Sequence, residues 1–222
     1  MGFKVAIDGP AGAGKSTIAK RIAKEMNFIY VDTGAMYRAI GLFIIRNGID
    51  IHDEKAVSEK AKDAKVTLAY EEGTQVVILN GENVNGLIRN EEVSQAASVT
   101  SAFPAVRSIL LDMQQEMAEK NDVVMDGRDI GTVILPNAEV KVFLTASVDE
   151  RARRRFEEYK EKGKEVDFEQ LKAEIAQRDH QDMTREVAPL KQAEDAALVD
   201  SSDMTIDQVV EAIEKLINEK RA

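Results

Sequence analysis

The run Gly9-Pro10-Ala11-Gly12-Ala13-Gly14-Lys15-Ser16 constrains this chain more than any other stretch. It fits the pattern G-x-x-x-x-G-K-[ST] and stands between an apolar run, Phe3 to Ile7, and a helical pattern, Ile18 to Met26. A strand entering such a loop and a helix leaving it let successive backbone N–H groups turn inward around a phosphate, and the helix N-terminus adds a favourable partial charge. Gly9 to Gly14 are therefore expected to wrap the phosphates of a nucleoside triphosphate such as ATP. Lys15 would bridge β- and γ-oxygens, Ser16 would offer its hydroxyl to a Mg²⁺ carried by the triphosphate, and Thr17 would meet the α-phosphate region. A glycine turn without a ligand fits poorly, because it would leave Lys15 buried without a partner.

The rest of the composition narrows the setting. With 222 residues, 44% of them hydrophobic, the chain can bury one main core with insertions. The formal net charge of -10 opposes broad contact with nucleic acid or an anionic membrane, so an anionic substrate needs a local basic cluster. There is no cysteine, which excludes disulfides, thiolate metal sites and cysteine nucleophiles, and His52 and His180 are too few for a histidine metal cluster. The longest apolar run, Ala39 to Ile45, is far short of a membrane span. Met1-Gly2-Phe3-Lys4 leads straight into a strand pattern rather than a secretory signal, and Ala6 stands where myristoylation would want a small hydroxyl residue. The expected location is the cytoplasm.

Buried-strand patterns at Phe3 to Ile7, Phe28 to Val31, Val123 to Met125, Val140 to Leu144 and Ala197 to Val199 are separated by helical stretches, which predicts an α/β fold: a five-stranded parallel sheet flanked by helices. One stretch departs from this alternation. Val66 to Tyr70 and Gln75 to Leu79, joined by Glu71-Glu72-Gly73-Thr74 and followed by Asn80-Gly81, predict a small antiparallel insertion. Pro104 suits the first turn of a helix whose apolar face would be Val106, Ile109, Leu110, Met113 and Met117. Near the C-terminus Thr205 and Gln208 form a capping-box pattern ahead of a stripe of Ile206, Val209, Val210, Ile213, Leu216 and Ile217. From Ser147 to about Glu186 the chain is dense in charge, with Arg151, Arg153, Arg154 and Arg155 near its start.

A phosphate loop alone is shared by GTPases, motor-type ATPases and small-molecule kinases. Thr145-Ala146-Ser147-Val148-Asp149 follows the Val140 to Leu144 strand where a GTPase would carry N-K-x-D. The Val123-Val124-Met125 strand ends in Asp126, placed like a Walker B acid, but Gly127-Arg128-Asp129 comes next. An arginine at the tip of a central strand, where open α/β sheets bind ligands, points to a second anion.

Four segments carry a resemblance: Asp32-Thr33-Gly34-Ala35-Met36-Tyr37-Arg38, Ala102-Phe103-Pro104-Ala105-Val106-Arg107, Asp126-Gly127-Arg128-Asp129-Ile130-Gly131-Thr132, and Arg178 to Leu190. In this order they resemble the nucleoside monophosphate kinases, specifically the bacterial-type cytidylate kinase family, and they span almost the whole chain. The resemblance implies one P-loop kinase unit over 1–222, with a core of about 1–38, 103–150 and 186–222. It further implies an acceptor-binding lobe of about 39–102 holding the β insertion, and a short helical lid of about 151–170.

It also implies roles. Arg38 and Arg128 would hold the acceptor phosphate, Thr33, Tyr37 and Asp126 would line its pocket, and Ser98, Arg107 and Asp129 would read cytosine. A carboxylate accepts from the N4 amino group while arginine donates to O2 and N3; uracil reverses the polarity at position 4. Arg178, Asp182 and Arg185 fall at i, i+4 and i+7, one face of a helix, and by resemblance contact sugar and phosphates. Arg154 and Arg155 are expected at the ATP, with Arg155 joining Lys15, Arg38 and Arg128 in catalysis; Arg151 is a further lid candidate, and spacing does not say which lid arginine enters the site.

The reaction so implied takes ATP and CMP or dCMP to ADP and CDP or dCDP, with Mg²⁺ accompanying ATP. No nucleic acid or membrane partner is expected, and the resemblance suggests a monomer. Two rivals stay open on the residues: a P-loop kinase of a small hydroxyl substrate, with Asp32 or Asp129 as general base, and a nucleotide-dependent switch.

Overall fold

The computed structural model describes residues 2–71 and 74–221, so the Glu72-Gly73 part of the predicted turn lies outside the described residues. The strands are β1 (Lys4–Asp8), β2 (Ile29–Asp32), β3 (Val66–Glu71), β4 (Thr74–Leu79), β5 (Glu82–Asn83), β6 (Val123–Gly127), β7 (Val140–Thr145) and β8 (Ala197–Asp200). The helices are α1 (Lys15–Met26), α2 (Thr33–Arg46), α3 (Glu54–Lys60), α4 (Glu91–Thr100), α5 (Pro104–Lys120), α6 (Val148–Glu161), α7 (Phe168–Thr184) and α8 (Ile206–Arg221). A five-stranded sheet runs in the order β2-β6-β1-β7-β8, and a three-stranded one in the order β3-β4-β5. The expected parallel sheet flanked by helices, with an antiparallel insertion, is the fold observed.

The chain divides into two compact units, one of Tyr30–Asn121 and one of Gly2–Ile29 with the residues from Asp122 on. In the second unit β1 pairs in parallel with β6 and β7, and β7 with β8. Val5, Ala6, Ile7, Val123, Val124 and Met125 are fully buried, as strands covered on both faces must be. The capping box forms both of its bonds: Thr205 N–H donates to Gln208 Oε1 at 2.9 Å, and Gln208 N–H to Thr205 Oγ1 at 3.3 Å. Ile206 does not join the α8 stripe; it is 52% exposed, because it sits at the first turn, before Val209, Val210, Ile213 and Ile217 meet the core.

In the first unit Asn80 and Gly81 take φ of 49° and 87°, the doubly left-handed turn that a two-residue hairpin between β4 and β5 requires. Gln75 Oε1 accepts from Asp32 N–H at 3.0 Å and Tyr70 Oη donates to the Tyr30 carbonyl at 2.9 Å, tying this small sheet to the end of β2. The buried face of α5 is Val106, Arg107, Leu110, Gln114 and Ala118, while Met113 and Met117 are only half-buried. The stripe expected from apolar residues is thus displaced, because Arg107 and Gln114 are polar residues turned inward.

Helices α2 and α4 pack so closely that a Cβ on Gly41 would lie 2.9 Å from the Ala97 amide nitrogen and 3.2 Å from the Val93 carbonyl oxygen. Both are backbone atoms and cannot swing aside. Gly41→Ala is expected to cost about 1–3 kcal/mol, read as a lowered midpoint in thermal or urea unfolding; an unchanged midpoint would show that the two helices separate freely.

Candidate active site

In the second unit the site begins where β1 runs into the glycine loop. Gly9 has φ of 149°, and a Cβ there would stand 1.9 Å from the Leu144 carbonyl oxygen, so only glycine lets the loop leave β1 beside β7. Lys15 is the first residue of α1, and Ile18 N–H bonding to the Gly14 carbonyl at 3.1 Å opens that helix. Its Nζ donates to the Pro10 carbonyl at 2.7 Å, across the loop. Burial, and then the charge of Arg128, hold the Lys15 amine well below its ordinary pKa, with Asp126, Asp8 and Asp182 partly offsetting them. Bound phosphates would favour its charged form. Ser16 Oγ donates to Asp126 Oδ2 at 2.8 Å, setting a hydroxyl and a carboxylate side by side, the hard oxygen pair that suits Mg²⁺. Thr17 lies exposed on the first turn of α1.

Beyond β6 the charged groups interlock. Arg128 Nε donates to Asp182 Oδ2 at 2.9 Å. Burial would raise the Asp182 pKa, but Arg128, Arg178 and Arg185 together hold it below the usual carboxylate value. Arg185 NH2 stands 3.6 Å from Asp129 Oδ1, and its NH1 stands 4.0 Å from Asp182 Oδ1. The helical spacing expected for Arg178, Asp182 and Arg185 holds only for the first two. Helix α7 ends at Thr184, and Arg185 is extended (φ −62°, ψ 141°). The cause is Pro189, four residues on, which has no N–H to give the Arg185 carbonyl and whose ring would strike it in a helix. Even so, Arg185 folds back toward the Asp129 and Asp182 carboxylates.

The arginines of α6 point three ways. Arg151 is buried and donates to the Ala146 carbonyl (2.9 Å), to the Ala11 carbonyl of the glycine loop (3.0 Å) and through both terminal nitrogens to Asp179 (3.0 and 2.5 Å). Arg154 reaches Glu150 and the Ser201 carbonyl, at 2.8 and 2.7 Å. Arg155 lies along Tyr159, its guanidinium 5.4 Å from the ring centre. Of the three, Arg151 is the one against the glycine loop.

In the first unit Asp32 caps α2 by accepting from Ala35 N–H at 2.8 Å, and its carboxylate also faces Arg38 and Arg89, each through NH2 at 3.4 Å. Arg38 Nε is buried and has no hydrogen-bond partner among the described residues. Thr33 and Tyr37 are buried on the same helix, and the Arg107 guanidinium sits 5.6 Å from the Tyr37 ring centre. Arg107 also donates to the Ser101 carbonyl at 3.2 Å, and Ser101 Oγ donates to the Ser98 carbonyl at 3.1 Å, which links α5 to the last turn of α4.

Residues 5–219 match the family described as cytidylate kinase. The chain belongs to the cytidylate kinase family. It is 51% identical to a cytidylate kinase of Caldicellulosiruptor bescii over 96% of this chain and 95% of that one. It is 52% identical to one of Shouchella clausii over 98% and 97%. A crystal structure of an uncharacterized protein from Eubacterium ventriosum superposes with a TM-score of 0.54 at 13% identity, covering 99% of each chain, a likeness of fold alone.

Three groups of this cytidylate kinase family member were not legible as site residues. Asp8 is buried at the end of β1, Arg89 lies in the loop before α4, and Asp179 sits one turn before the C-terminal end of α7. Only Asp8 left a signal, its position directly before the glycine loop. Burial raises its pKa to about 6, against two backbone hydrogen bonds that lower it, with Asp129 adding to the rise and Lys15 opposing it.

Proposed function

We propose that this chain transfers the γ-phosphate of ATP to CMP or dCMP, giving ADP and CDP or dCDP. A phosphate oxygen of the acceptor attacks the γ-phosphorus as the bond to the β-bridging oxygen breaks, and the electron pair leaves on ADP. The acceptor oxygen is already anionic near neutral pH, so no general base is needed; positioning, neutralisation of charge and exclusion of water carry the catalysis.

The observation that carries this reading over a hydroxyl kinase is that both candidate bases are already engaged by arginine. Asp32 faces Arg38 and Arg89, and Asp129 faces Arg185. A carboxylate so engaged is a poor acceptor for an alcohol proton, whereas guanidinium groups are good receivers of a second anion. The missing guanine-reading motif likewise speaks against a switch.

Gly9 to Thr17 cradle the triphosphate, and Lys15 moves from the Pro10 carbonyl to the β- and γ-oxygens. Ser16 and Asp126 would hold Mg²⁺, which when bound with ATP neutralises charge on its phosphates. Arg38, with its unused Nε, and Arg128 receive the acceptor phosphate. Thr33, Tyr37 and Asp126 line its pocket, Ser98, Arg107 and Asp129 read cytosine, and Arg178, Asp182 and Arg185 contact its sugar and phosphate. Arg154 and Arg155 turn toward ATP when α6 closes as a lid. By the family resemblance the chain works as a cytoplasmic monomer. Among the described residues no helix is long and apolar enough to cross a membrane.

A coupled ADP-release assay with ATP, Mg²⁺ and each nucleoside monophosphate tests the proposal. Strong turnover with CMP and dCMP, weak turnover with UMP and none with AMP or GMP is expected. Turnover with a small alcohol instead would overturn it.

A further inference from the structure

Between the end of β6 at Gly127 and Ile130 there are two residues, Arg128 and Asp129, to which the reading above gives the acceptor's phosphate and base. Both ends of this short span are fixed by one residue. The Asp8 backbone is in register with Gly127 in the β1–β6 pair. The Asp8 side chain accepts from Ile130 N–H through Oδ1 and from Gly131 N–H through Oδ2, each at 2.7 Å. These two amides open a π-helical turn, Ile130–Ile134, in which Val133 and Ile134 N–H bond back to the Asp129 carbonyl at 2.9 and 3.2 Å. Backbone of this kind is uncommon and gathers at functional positions.

We infer that Asp8 is a positioning residue for substrate selection: it fixes Arg128 and Asp129 by clamping the chain on either side of them. The inference rests on the roles proposed above for that pair. The residue after Asp8 is Gly9, and the Asp8 backbone is held in β1 by both β6 and β7, so the start of the phosphate loop is fixed by the sheet while the Asp8 side chain is left to serve the turn that sets the base-reading carboxylate.

The chemistry calls for aspartate in particular. Two N–H donors converge on the group, and an ionised carboxylate accepts from both; asparagine of the same shape would answer one of them with another donor. The site is also built to the size of the carboxylate. A Cβ on Gly131 would already be in van der Waals contact with Asp8 Oδ2, at 3.4 Å, so the carboxylate fills the space against this backbone. Burial makes the charge costly, which explains a pKa of about 6, yet the two amides and nearby Lys15 keep Asp8 mostly ionised at neutral pH.

Asp8→Asn tests the inference against a merely structural role. Because a displacement of about 1 Å in a substrate-positioning group can cost 10²-fold, the KM for CMP is expected to rise about tenfold or more. The kcat/KM ratio of CMP over UMP should fall about tenfold, while the KM for ATP moves less than about threefold. Asp8→Glu, which keeps the carboxylate but moves its oxygens by one methylene, is expected to shift the same ratio by a smaller factor, and it serves if Asp8→Asn does not fold. A ratio unchanged from the parent enzyme in the folded variants, or equal losses toward ATP and CMP, would overturn the inference. Failure of the parent enzyme to phosphorylate CMP would instead overturn the proposed function.

Discussion

Replacing Lys15 with methionine is expected to lower kcat by about 10³-fold while leaving the fold as stable as before or more so. The activity loss follows from the position of the amine, at the first turn of α1 and within reach of the phosphates held by Gly9 to Gly14. A single preorganised donor to developing charge is worth about 10²–10³ in rate, and Lys15 brings a full charge as well. The stability argument comes from the same burial. The Lys15 amine is held well below its ordinary pKa of 10.5 by desolvation first and by Arg128 next. An amine of lowered pKa binds fewer protons in the folded state than in the unfolded one, so stability contributed by this group rises with pH up to about 10.5. Below that window the buried cation works against folding. Methionine fills similar space without charge, so the variant should lose both the activity and this alkaline gain in stability. Urea unfolding at pH 7 and pH 10, set beside turnover with ATP and CMP, checks both. A variant that is strongly destabilised at pH 7 would show that Lys15 holds the loop together through the Pro10 carbonyl.

How much of this could be read from the sequence depended on how local each device is. The glycine loop, the Asn80-Gly81 turn and the Thr205/Gln208 capping box each act within a few residues, and all three formed as their chemistry demands. The five parallel strands were legible for a similar reason: strands buried on both faces read as short continuous apolar runs. The α5 face was not, since Arg107 and Gln114 are turned inward by partners distant in sequence, Tyr37 for the first and Met36 for the second. Asp8 meets its partners 122 and 123 residues away, a pairing that only the sheet creates. Arg185 illustrates the opposite error, in which a regular spacing was carried past the end of a helix that Pro189 brings to a stop. The cluster of arginines in α6 was visible as charge, but the direction of each guanidinium was not, because three arginines within five positions point around much of a helix.

That direction matters most at Arg151. Its guanidinium lies against Asp179, with side chains 4% and 10% exposed, so the pair is shielded from solvent. Arg151→Met should strand a buried carboxylate and cost about 3–5 kcal/mol, and Asp179→Leu should cost a similar amount by stranding the cation. Combining the two is expected to recover most of that loss. Neither charge is then left unpaired, and α6 and α7 already share an apolar cluster around Ala152, Leu171 and Ile175 that can receive methionine and leucine. Activity should not recover in step. The same guanidinium donates to the Ala11 carbonyl, and the Gly12 backbone lies beside the Arg151 stem, where a Cβ on Gly12 would be in ordinary contact with Arg151 Cβ at 3.5 Å. The double variant has lost that brace on the glycine loop, and kcat is expected to stay about 10–100-fold below the parent at restored stability. A cycle of the two single variants and the double, followed by thermal unfolding and by turnover, separates the roles. If kcat returns together with the melting temperature, the pair only joins two helices; if stability alone returns, Arg151 sets the shape of the loop that holds the triphosphate.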